Sequence, residues 1–261
     1  MAKGLSIKFT SYEKSVPKVL ELVNLQKELK KYDNIVIKVP LNPDSENKLS
    51  LEFLESVLKF VIMNKNPISS VYIAEGADGG DTIELFEKEG YSSLSEKYGV
   101  GLLDLNTAET EEIRDGEFLE LQEIQYPKLL LNSFILSLSK TTHSNFLGIE
   151  GSLSSMIGAY PANYYRGFFS KGKSKLTKYN IKNVIHDILK CKMPDFAVVD
   201  ASNEGMILAG LPLEMDKQAS RLINLDWRSI QYLRLLDEAL PEEIPERPEI
   251  TKETIKEATL A

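Results

Sequence analysis

Residues 137–161, SLSKTTHSNFLGIEGSLSSMIGAYP, hold the densest group of side chains that could do chemistry. Within this run, Lys140 and His143 can each hold or release a proton, so they are the candidates for catalysis. Either side chain could equally serve as a ligand for an anion. The alternative interpretation is a loop in which His143 bonds only the backbone.

The same run carries small residues that suit close contact with a ligand. Glycine lets the backbone approach a bound group, because it has no side chain. Serines near the start of a short predicted helix lie beside free N–H groups, and these favour an anion. The ligand-binding candidates here are Gly148, Gly151, Ser152 and Ser154.

Charge is unevenly distributed along the chain. The net charge is −8, yet residues 124–186 contain eight lysines and arginines and a single acid, Glu150. A segment of this composition is expected to present a favourable potential to an anion. The alternative is a chance gap in the acids, with lysines that are simply solvated.

Residues 164–180, YYRGFFSKGKSKLTKYN, mix aromatic rings with cations. Arg166 and Lys171 are the anion-binding candidates in this segment. Nucleic-acid grooves combine ring stacking with lysine–phosphate pairs, so RNA is one expected partner and an acidic protein another. We favour the other interpretation, a lid that closes over a ligand pocket.

Acidic residues follow two apolar strands. Glu75, Asp78 and Asp81 follow one of them, and Asp200 and Glu204 follow the other. Carboxylate oxygens of this kind could hold a divalent cation such as Mg²⁺ or Ca²⁺. Asp81 also suits a helix cap and Asp78 a turn. The candidate metal ligands are therefore Glu75 and Asp200, because a carboxylate that ends an apolar strand has no packing role.

The candidate residues need a fold that brings strand ends together. Apolar periodicity predicts strands at 5–9, 34–39, 71–74, 100–105, 133–138, 196–200 and 222–225. It predicts helices at 12–31, 51–65, 82–90, 94–98, 149–157, 179–190 and 227–240. The alternation indicates an α/β fold, with a mostly parallel or mixed sheet and helices on both faces. Ligands of such sheets sit at the carboxyl ends of the strands.

One α/β unit is predicted over residues 1–240, built of one body or of two intimately packed subdomains. Residues 108–126 alternate in places and predict a hairpin or an edge excursion, with a candidate subdomain break near 107–126. The Pro-, Glu- and Lys-rich residues 241–261 are predicted to form a charged, disordered tail.

Cysteine content and hydropathy exclude several classes of protein. Cys191 is the only cysteine, so we expect neither an internal disulfide nor a cysteine-ligated iron–sulfur cluster held by one chain. No apolar run approaches the roughly 18 residues of a membrane helix, and no apolar signal segment is recognisable. We therefore expect a soluble, cytoplasmic protein, and the Lys/Glu-rich composition is compatible with a thermophile.

An ordered series of short motifs resembles the family called domain of unknown function 362. The series comprises IVIKVPLNP at 35–43, IAEGADGG at 73–80, EGYSSLSEKYGVGLLDLN at 89–106, LSKTTH at 138–143, GIEGSLSSMIGAYP at 148–161 and PDFAVVDASNEGMILAGLPLE at 194–214. The resemblance runs over roughly residues 34–235. It implies an α/β fold, and it adds Lys38 to the ligand-binding candidates through the lysine of a "KPN"-like segment.

Two departures from the family pattern concern charge. Ser154 and Ser155 stand where relatives place Lys and Asn, so a cation is missing from the core motif, and Gln231 replaces a later aspartate. The cysteine-rich ferredoxin segment of many members is also absent. The family is similar in outline to lactate racemases, whose nickel-pincer cofactor is held by lysine and several histidines. With only His143 and His186 in this chain, that cofactor is not expected.

Three hypotheses about function remain open at this stage, and whether the protein is an enzyme is open with them. The first is a pocket at strand carboxyl ends that binds a small anionic molecule. The second is a non-catalytic protein whose basic middle segment contacts RNA or an acidic partner. The third is a degenerate relative of lactate-racemase-like isomerases.

Overall fold

The computed structural model describes residues 4–41, 48–167 and 172–239. The strands, in chain order, are β1 Gly4–Lys8, β2 Asn34–Lys38, β3 Ser70–Glu75, β4 Gly101–Asp104, β5 Thr110–Ile113, β6 Ile124–Pro127, β7 Phe134–Lys140, β8 Thr142–Ser144, β9 Gly148–Glu150, β10 Phe196–Ala201 and β11 Met206–Gly210. The helices are α1 Tyr12–Leu22, α2 Leu25–Leu29, α3 Leu51–Asn64, α4 Thr82–Lys88, α5 Tyr91–Tyr98, α6 Lys128–Leu131, α7 Ala162–Tyr165, α8 Ile181–Cys191, α9 Pro212–Leu222 and α10 Gln231–Ala239. Short 3₁₀ helices lie at Ser154–Ala159, Ser174–Lys178, Ser202–Glu204 and Trp227–Ser229.

A seven-stranded sheet has the order β1-β11-β10-β7-β2-β3-β4. The strands from β10 to β4 run parallel to one another, whereas β11 pairs antiparallel with both β1 and β10. The sheet is therefore mixed and mostly parallel, as predicted.

The order of the sheet reverses between β2 and β7. From β2 the chain moves outward through β3 to β4, and it then returns to pair β7 with the other side of β2 before adding β10. The connections that leave β2 and β7 therefore diverge and open a crevice at the carboxyl ends of these two strands. In open α/β sheets, such a switch point is the usual position of a ligand.

Each face of the sheet has its own apolar core, because successive side chains of a strand point to opposite faces. Ile35 and Ile37 of β2 pack with helices α1 to α5, whereas Val36 packs with helices α8 to α10. Helices therefore cover both faces, which confirms the predicted fold class.

The predicted helix over residues 12–31 is broken in the structure. Asn24 adopts a left-handed conformation with φ of 58° and separates α1 from α2. Asparagine tolerates this region better than most residues, because its short polar side chain can bond the local backbone. The apolar spacing continues through the break, so it could not reveal it.

The prediction of a strand at 222–225 is wrong. Helix α9 extends to Leu222, and Asn224 then turns the chain with φ of 60°. The strand on this side of the sheet is instead β11, which follows β10 through a turn closed by Gly205 at φ 75°. Both β11 and α9 escaped prediction.

The predicted helix at 149–157 is replaced by two elements. Strand β9 pairs with β8 in a short hairpin, and a 3₁₀ helix follows it. The hairpin predicted within 108–126 is confirmed as the antiparallel pair of β5 with β6. A subdomain boundary near 107–126 stays a prediction, and residues 241–261 lie outside the described residues. Across the described ranges, none of the helices combines the length and the apolarity of a membrane span.

Candidate functional site

A cavity of about 230 Å³ opens at the carboxyl ends of β2, β3 and β7, beside the switch point of the sheet. Pro40 and Leu41 line it after β2, Glu75 and Gly76 after β3, and Ser139 near the end of β7. Asp78, Leu147, Glu150, residues of the turn 151–158 and Lys173 complete the lining. A cavity of this volume holds several waters and suits a small ligand.

Lys38 ends the apolar strand β2 and is fully buried. A buried charge needs partners, because it has lost its hydration. The Lys38 ammonium pairs with the Glu75 carboxylate and donates to the carbonyl oxygens of Ser155 at 2.8 Å and Val39 at 3.3 Å. Burial lowers the pKa of Lys38, and the charge of Glu75 partly offsets this.

Two glycines lie beside this ion pair at positions where neighbouring atoms leave no room for a side chain. A Cβ at Gly158 would overlap Glu75 Oε1 and lie 2.6 Å from Lys38 Nζ. A Cβ at Gly76 would overlap the carbonyl oxygen of Gly158 and lie 2.9 Å from Asn106 Oδ1. The loop after β3 and the turn 151–158 therefore touch backbone to backbone over the Lys38–Glu75 pair.

The turn 151–158 is held from the other side by Asp216 of α9. The Asp216 carboxylate accepts from the Ser152 backbone N–H at 2.8 Å, the Ser152 hydroxyl at 2.7 Å and the Leu153 N–H at 2.9 Å. Burial raises the pKa of Asp216 to about 6, although these hydrogen bonds lower it. A Cβ at Gly151 would lie 2.6 Å from this carboxylate, so Gly151 makes room for Asp216.

Lys173 brings a second cation to the cavity and is only 3% exposed. Its Nζ donates to the carbonyl oxygens of Gly76 at 2.7 Å and Ile157 at 3.0 Å, and its backbone N–H donates to Asp78 Oδ1 at 2.6 Å. Burial lowers the pKa of Lys173 to about 8, although the charge of Glu75 opposes this shift.

Three serine hydroxyls lie at the cavity. Ser154 Oγ accepts from the Gly151 N–H at 2.9 Å, and Ser155 Oγ donates to the Ser152 carbonyl at 2.9 Å, so both shape the turn. Ser139 Oγ is buried and has no hydrogen-bond partner in the described part of the chain. Ser139 itself belongs to the residues that line the cavity.

Four of the candidates from the sequence meet at this cavity. Lys38 contacts the lining residues Glu75 and Ser155, and Glu75, Gly151 and Ser154 belong to the lining itself. Ser152 is fully buried against Asp216, one layer behind the cavity.

The two catalytic candidates do not belong to the residues found to line the cavity. Lys140 is half-buried at the end of β7, and His143 is exposed on β8. Gly148 lies in the same hairpin with φ of 89°, packed toward Ile230. Arg166 is exposed after α7, and Lys171 lies outside the described residues.

The two metal candidates are held apart by the sheet. Asp200 lies on β10, separated from Glu75 on β3 by both β7 and β2. Asp200 accepts from the Tyr12 hydroxyl at 2.9 Å and the Ser202 N–H at 3.0 Å, whereas Glu75 pairs with Lys38. In the described ranges, no three His, Cys, Asp or Glu side chains are grouped to hold a metal ion.

Lys173 is the residue that sequence reasoning missed. In sequence it is one of the eight cations of residues 124–186, and no local signal distinguishes it from Lys175 or Lys178, which are exposed. Its burial depends on the Gly76 carbonyl, 97 residues away in the chain. It supplies a cation to the cavity that Ser154 and Ser155 line, where the family resemblance places a lysine.

The described residues do not fit a histidine-held nickel-pincer cofactor at this cavity. His143 is exposed on its hairpin, and His186 is buried in α8 with Nδ1 3.0 Å from Asp187. The Asp187 carboxylate in turn accepts from the N–H groups of residues 119–121. Neither histidine belongs to the residues that line the cavity.

The fold and the cavity define an α/β protein with a switch-point pocket. Residues 35–207 match the family described as Domain of unknown function (DUF362), and the chain belongs to this family. No protein with a curated functional description matches the chain.

Among solved structures, the chain is similar to the lactate racemase apoprotein from Thermoanaerobacterium thermosaccharolyticum, with a TM-score of 0.55 and 17% sequence identity. The match covers 85% of this chain and 57% of the racemase chain, so this chain spans little more than half of that protein. At this identity the likeness shows a common fold.

Proposed function

We propose that the switch-point cavity binds a small molecule with an anionic group and that the Lys173 ammonium contacts this group. The observation that carries the proposal is the donor count at Lys173. An ammonium has three N–H donors, and Lys173 uses two of them on acceptors among the described residues. The third N–H has no acceptor within the described ranges and can donate to a ligand in the cavity that Lys173 lines.

The rest of the lining restricts what else the ligand carries. Glu75, Asp78 and Glu150 also line the cavity, so a ligand with several negative charges would be repelled. Hydroxyl or amino groups on the ligand would complement these carboxylates, because both donate hydrogen bonds. The buried Ser139 hydroxyl suits a further polar group of the ligand. The preferred ligand is therefore small, singly anionic and rich in hydrogen-bond donors.

The structural neighbour supports a small carboxylate as the first ligand to test. That protein is a lactate racemase, and lactate combines one carboxylate with one hydroxyl. Racemase-like isomerisation of such a ligand is a weaker candidate, because the cavity lining includes no histidine within the described ranges.

Thermal unfolding with and without added lactate, acetate or inorganic phosphate tests the proposal at constant ionic strength. A ligand at 100 times its Kd stabilises the native state by about 2.7 kcal/mol, which raises Tm measurably. We expect lactate to raise Tm in the wild type and not in Lys173→Met. Lys175→Met is the matched control, because Lys175 is exposed and two residues away. Equal shifts in all three proteins would contradict the proposal.

Exposed cations favour a second candidate function, in which the basic middle segment, residues 124–186, contacts RNA or an acidic protein partner. Arg166, Lys175 and Lys178 are exposed close together in sequence. Binding to phosphates through lysine and arginine weakens steeply with salt, because counterions are released. Titration of mixed RNA at low salt tests this candidate, and no binding there would exclude RNA.

A further inference from the structure

Two buried lysines beside the cavity differ in how their amino groups are satisfied. Lys38 has three acceptors, the Glu75 carboxylate and the carbonyl oxygens of Ser155 and Val39, which match the three N–H groups of an ammonium. Lys173 has two acceptors among the described residues, the carbonyl oxygens of Gly76 and Ile157. Two acceptors match the two N–H groups of a neutral amine.

The two hydrogen bonds also orient the amino group of Lys173. Nitrogen is tetrahedral, so bonds to Cε and to two acceptors leave one remaining direction. In the ammonium form that direction carries the third N–H, and in the amine form it carries the lone pair. Lys173 belongs to the residues that line the cavity and Lys38 does not, so Lys173 is the lysine of the two that lies beside a bound ligand.

We propose that Lys173 is a nucleophilic amine that forms an imine with a small aldehyde or ketone bound in the cavity. This inference rests on the proposed function only in that the ligand enters the same cavity. A small oxo acid would satisfy both, because its anionic group can be drawn to the protonated lysine and its carbonyl carbon can react with the amine.

The reaction balances without an oxidant or reductant. The Lys173 lone pair forms a bond to the carbonyl carbon, and the C=O π electrons move to oxygen. One proton passes from nitrogen to that oxygen, and a second completes its departure as water as the C=N bond forms. Glu75 and Asp78 line the cavity and can relay these protons.

Burial, and not the balance of charged neighbours, shifts Lys173 toward the neutral form. The charged groups that act on Lys173 are Glu75, Asp78 and Asp104, which favour the ammonium, and Lys38, which disfavours it. Burial is the largest influence and lowers the pKa of Lys173 to about 8. At pH 7 roughly one such amine in ten is neutral, against fewer than about one in a thousand for an ordinary lysine at about 10.4. Desolvated lysines of this kind serve as imine-forming nucleophiles.

Reductive trapping in the wild-type protein tests the inference. The folded protein is treated at pH 7 with propanal, an uncharged aldehyde, and cyanoborohydride, and the alkylated lysines are located by peptide mass spectrometry at low conversion. We expect Lys173 to be modified at least tenfold faster than Lys175, and Lys38 to stay unmodified. Modification of Lys173 at or below the rate of Lys175 would overturn the inference.

Two further measurements keep this test separate from that of the proposed function. With cyanoborohydride in excess, so that attack of the neutral amine limits the rate, labelling of Lys173 should rise about tenfold for each pH unit below its pKa of about 8 and level off above it. A rate that continues to rise to pH 10 would overturn the inference. Glyoxylate, an anionic aldehyde, is then compared with propanal. If Lys173 traps both and anions never raise Tm, the proposed function fails alone. If anions raise Tm and neither aldehyde is trapped, the imine fails alone.

Discussion

At the carboxyl edge of the sheet, a lysine and a carboxylate lie at the ends of neighbouring strands in two places. They form an ion pair in only one of these two places. At one, Lys38 of β2 and Glu75 of β3 form a buried ion pair beside the cavity. At the other, Lys140 of β7 is the register partner of Asp200 of β10, yet the Asp200 carboxylate bonds Tyr12 and Ser202. Lys140 stays half-exposed.

The residues that lie over each lysine and carboxylate differ between the two places. The turn 151–158 and Lys173 close over Lys38 and Glu75, and the two glycines at 76 and 158 allow the contact. Over β10, the hydroxyl group of Tyr12 from α1 donates a hydrogen bond to the Asp200 carboxylate, which is buried although Lys140 is not. The first carboxylate is therefore paired with a buried cation, whereas the second is satisfied by neutral donors.

The largest difference between the two places is expected in the unfolding free energy that is lost when each lysine is replaced. Lys38→Met leaves Glu75 buried without its cation, and loss of one partner of a buried pair costs about 3–5 kcal/mol of unfolding free energy. Lys140→Met should change it by less than about 0.5 kcal/mol, because Lys140 is half-exposed and makes no ion pair within the described residues. Urea unfolding of both variants measures this. Similar losses of unfolding free energy in the two variants would show that the Lys38–Glu75 ion pair contributes no more to stability than Lys140 does.

The pH dependence of stability should reveal the cost of burying Lys173. The pKa of Lys173 is about 8 in the folded protein, below its ordinary value of 10.5, so the unfolded chain holds more protons between these values. Stability from this group therefore rises with pH from about 8 to 10.5, by up to about 3 kcal/mol. We expect the unfolding free energy of the wild type, measured relative to Lys173→Met, to increase over this window. A difference that stays constant from pH 7 to pH 10 would contradict the assignment.

A side chain placed where the loop after β3 meets the turn 151–158 should lower the unfolding free energy by somewhat less. Gly158→Ala places a methyl group against Glu75 Oε1 and near Lys38 Nζ, and such overpacking costs about 1–3 kcal/mol. Gly116→Ala is the control, because a Cβ there meets no atom within 4 Å. Thermal unfolding compares the two variants, and an unchanged Tm in Gly158→Ala would show that the loops can separate freely.

The smallest effect is expected where Tyr12 meets Asp200. Tyr12→Phe removes the hydrogen bond to the Asp200 carboxylate, which keeps the Ser202 N–H, and the contact with Ser202 Oγ at 3.1 Å, at a cost of about 1 kcal/mol. The double variant Tyr12→Phe with Lys140→Met should give an additive loss in urea unfolding, since Lys140 forms no ion pair with the Asp200 carboxylate within the described residues. A coupling above about 0.5 kcal/mol would show that Lys140 does act on this carboxylate.

Strands marked by a local run of apolar residues could be predicted from the sequence alone. The runs that became β2, β3, β7 and β10 are apolar and bounded by turn residues, and the polar residues at their ends include Lys38 and Glu75. Parallel topology then brings those ends to one edge. The motifs at 35–43 and 148–161 likewise carried the family assignment that residues 35–207 confirm.

The rest depends on distant contacts that no local pattern records. The amino group of Lys173 is held in the interior because a carbonyl 97 residues earlier accepts a hydrogen bond from it, and Asp216 supports Ser152 across 64 residues. The apolar run MILAG of β11 is an exception, because it is bounded by Gly205 and Pro212 and its signal is local, yet it was not predicted. The carboxylates Glu75 and Asp200 looked alike in sequence, and only the strand order shows that two strands separate them.

The crowding around residue 158 has an evolutionary consequence. The space that a side chain would need at this position is already occupied by the carboxylate of Glu75 and the ammonium of Lys38. Three positions far apart in the chain therefore share one small volume, and a gain of atoms at one demands a loss at another. A homologue with a side chain at the position of Gly158 is expected to carry a shorter residue in place of Glu75, so this trio should be inherited as a unit.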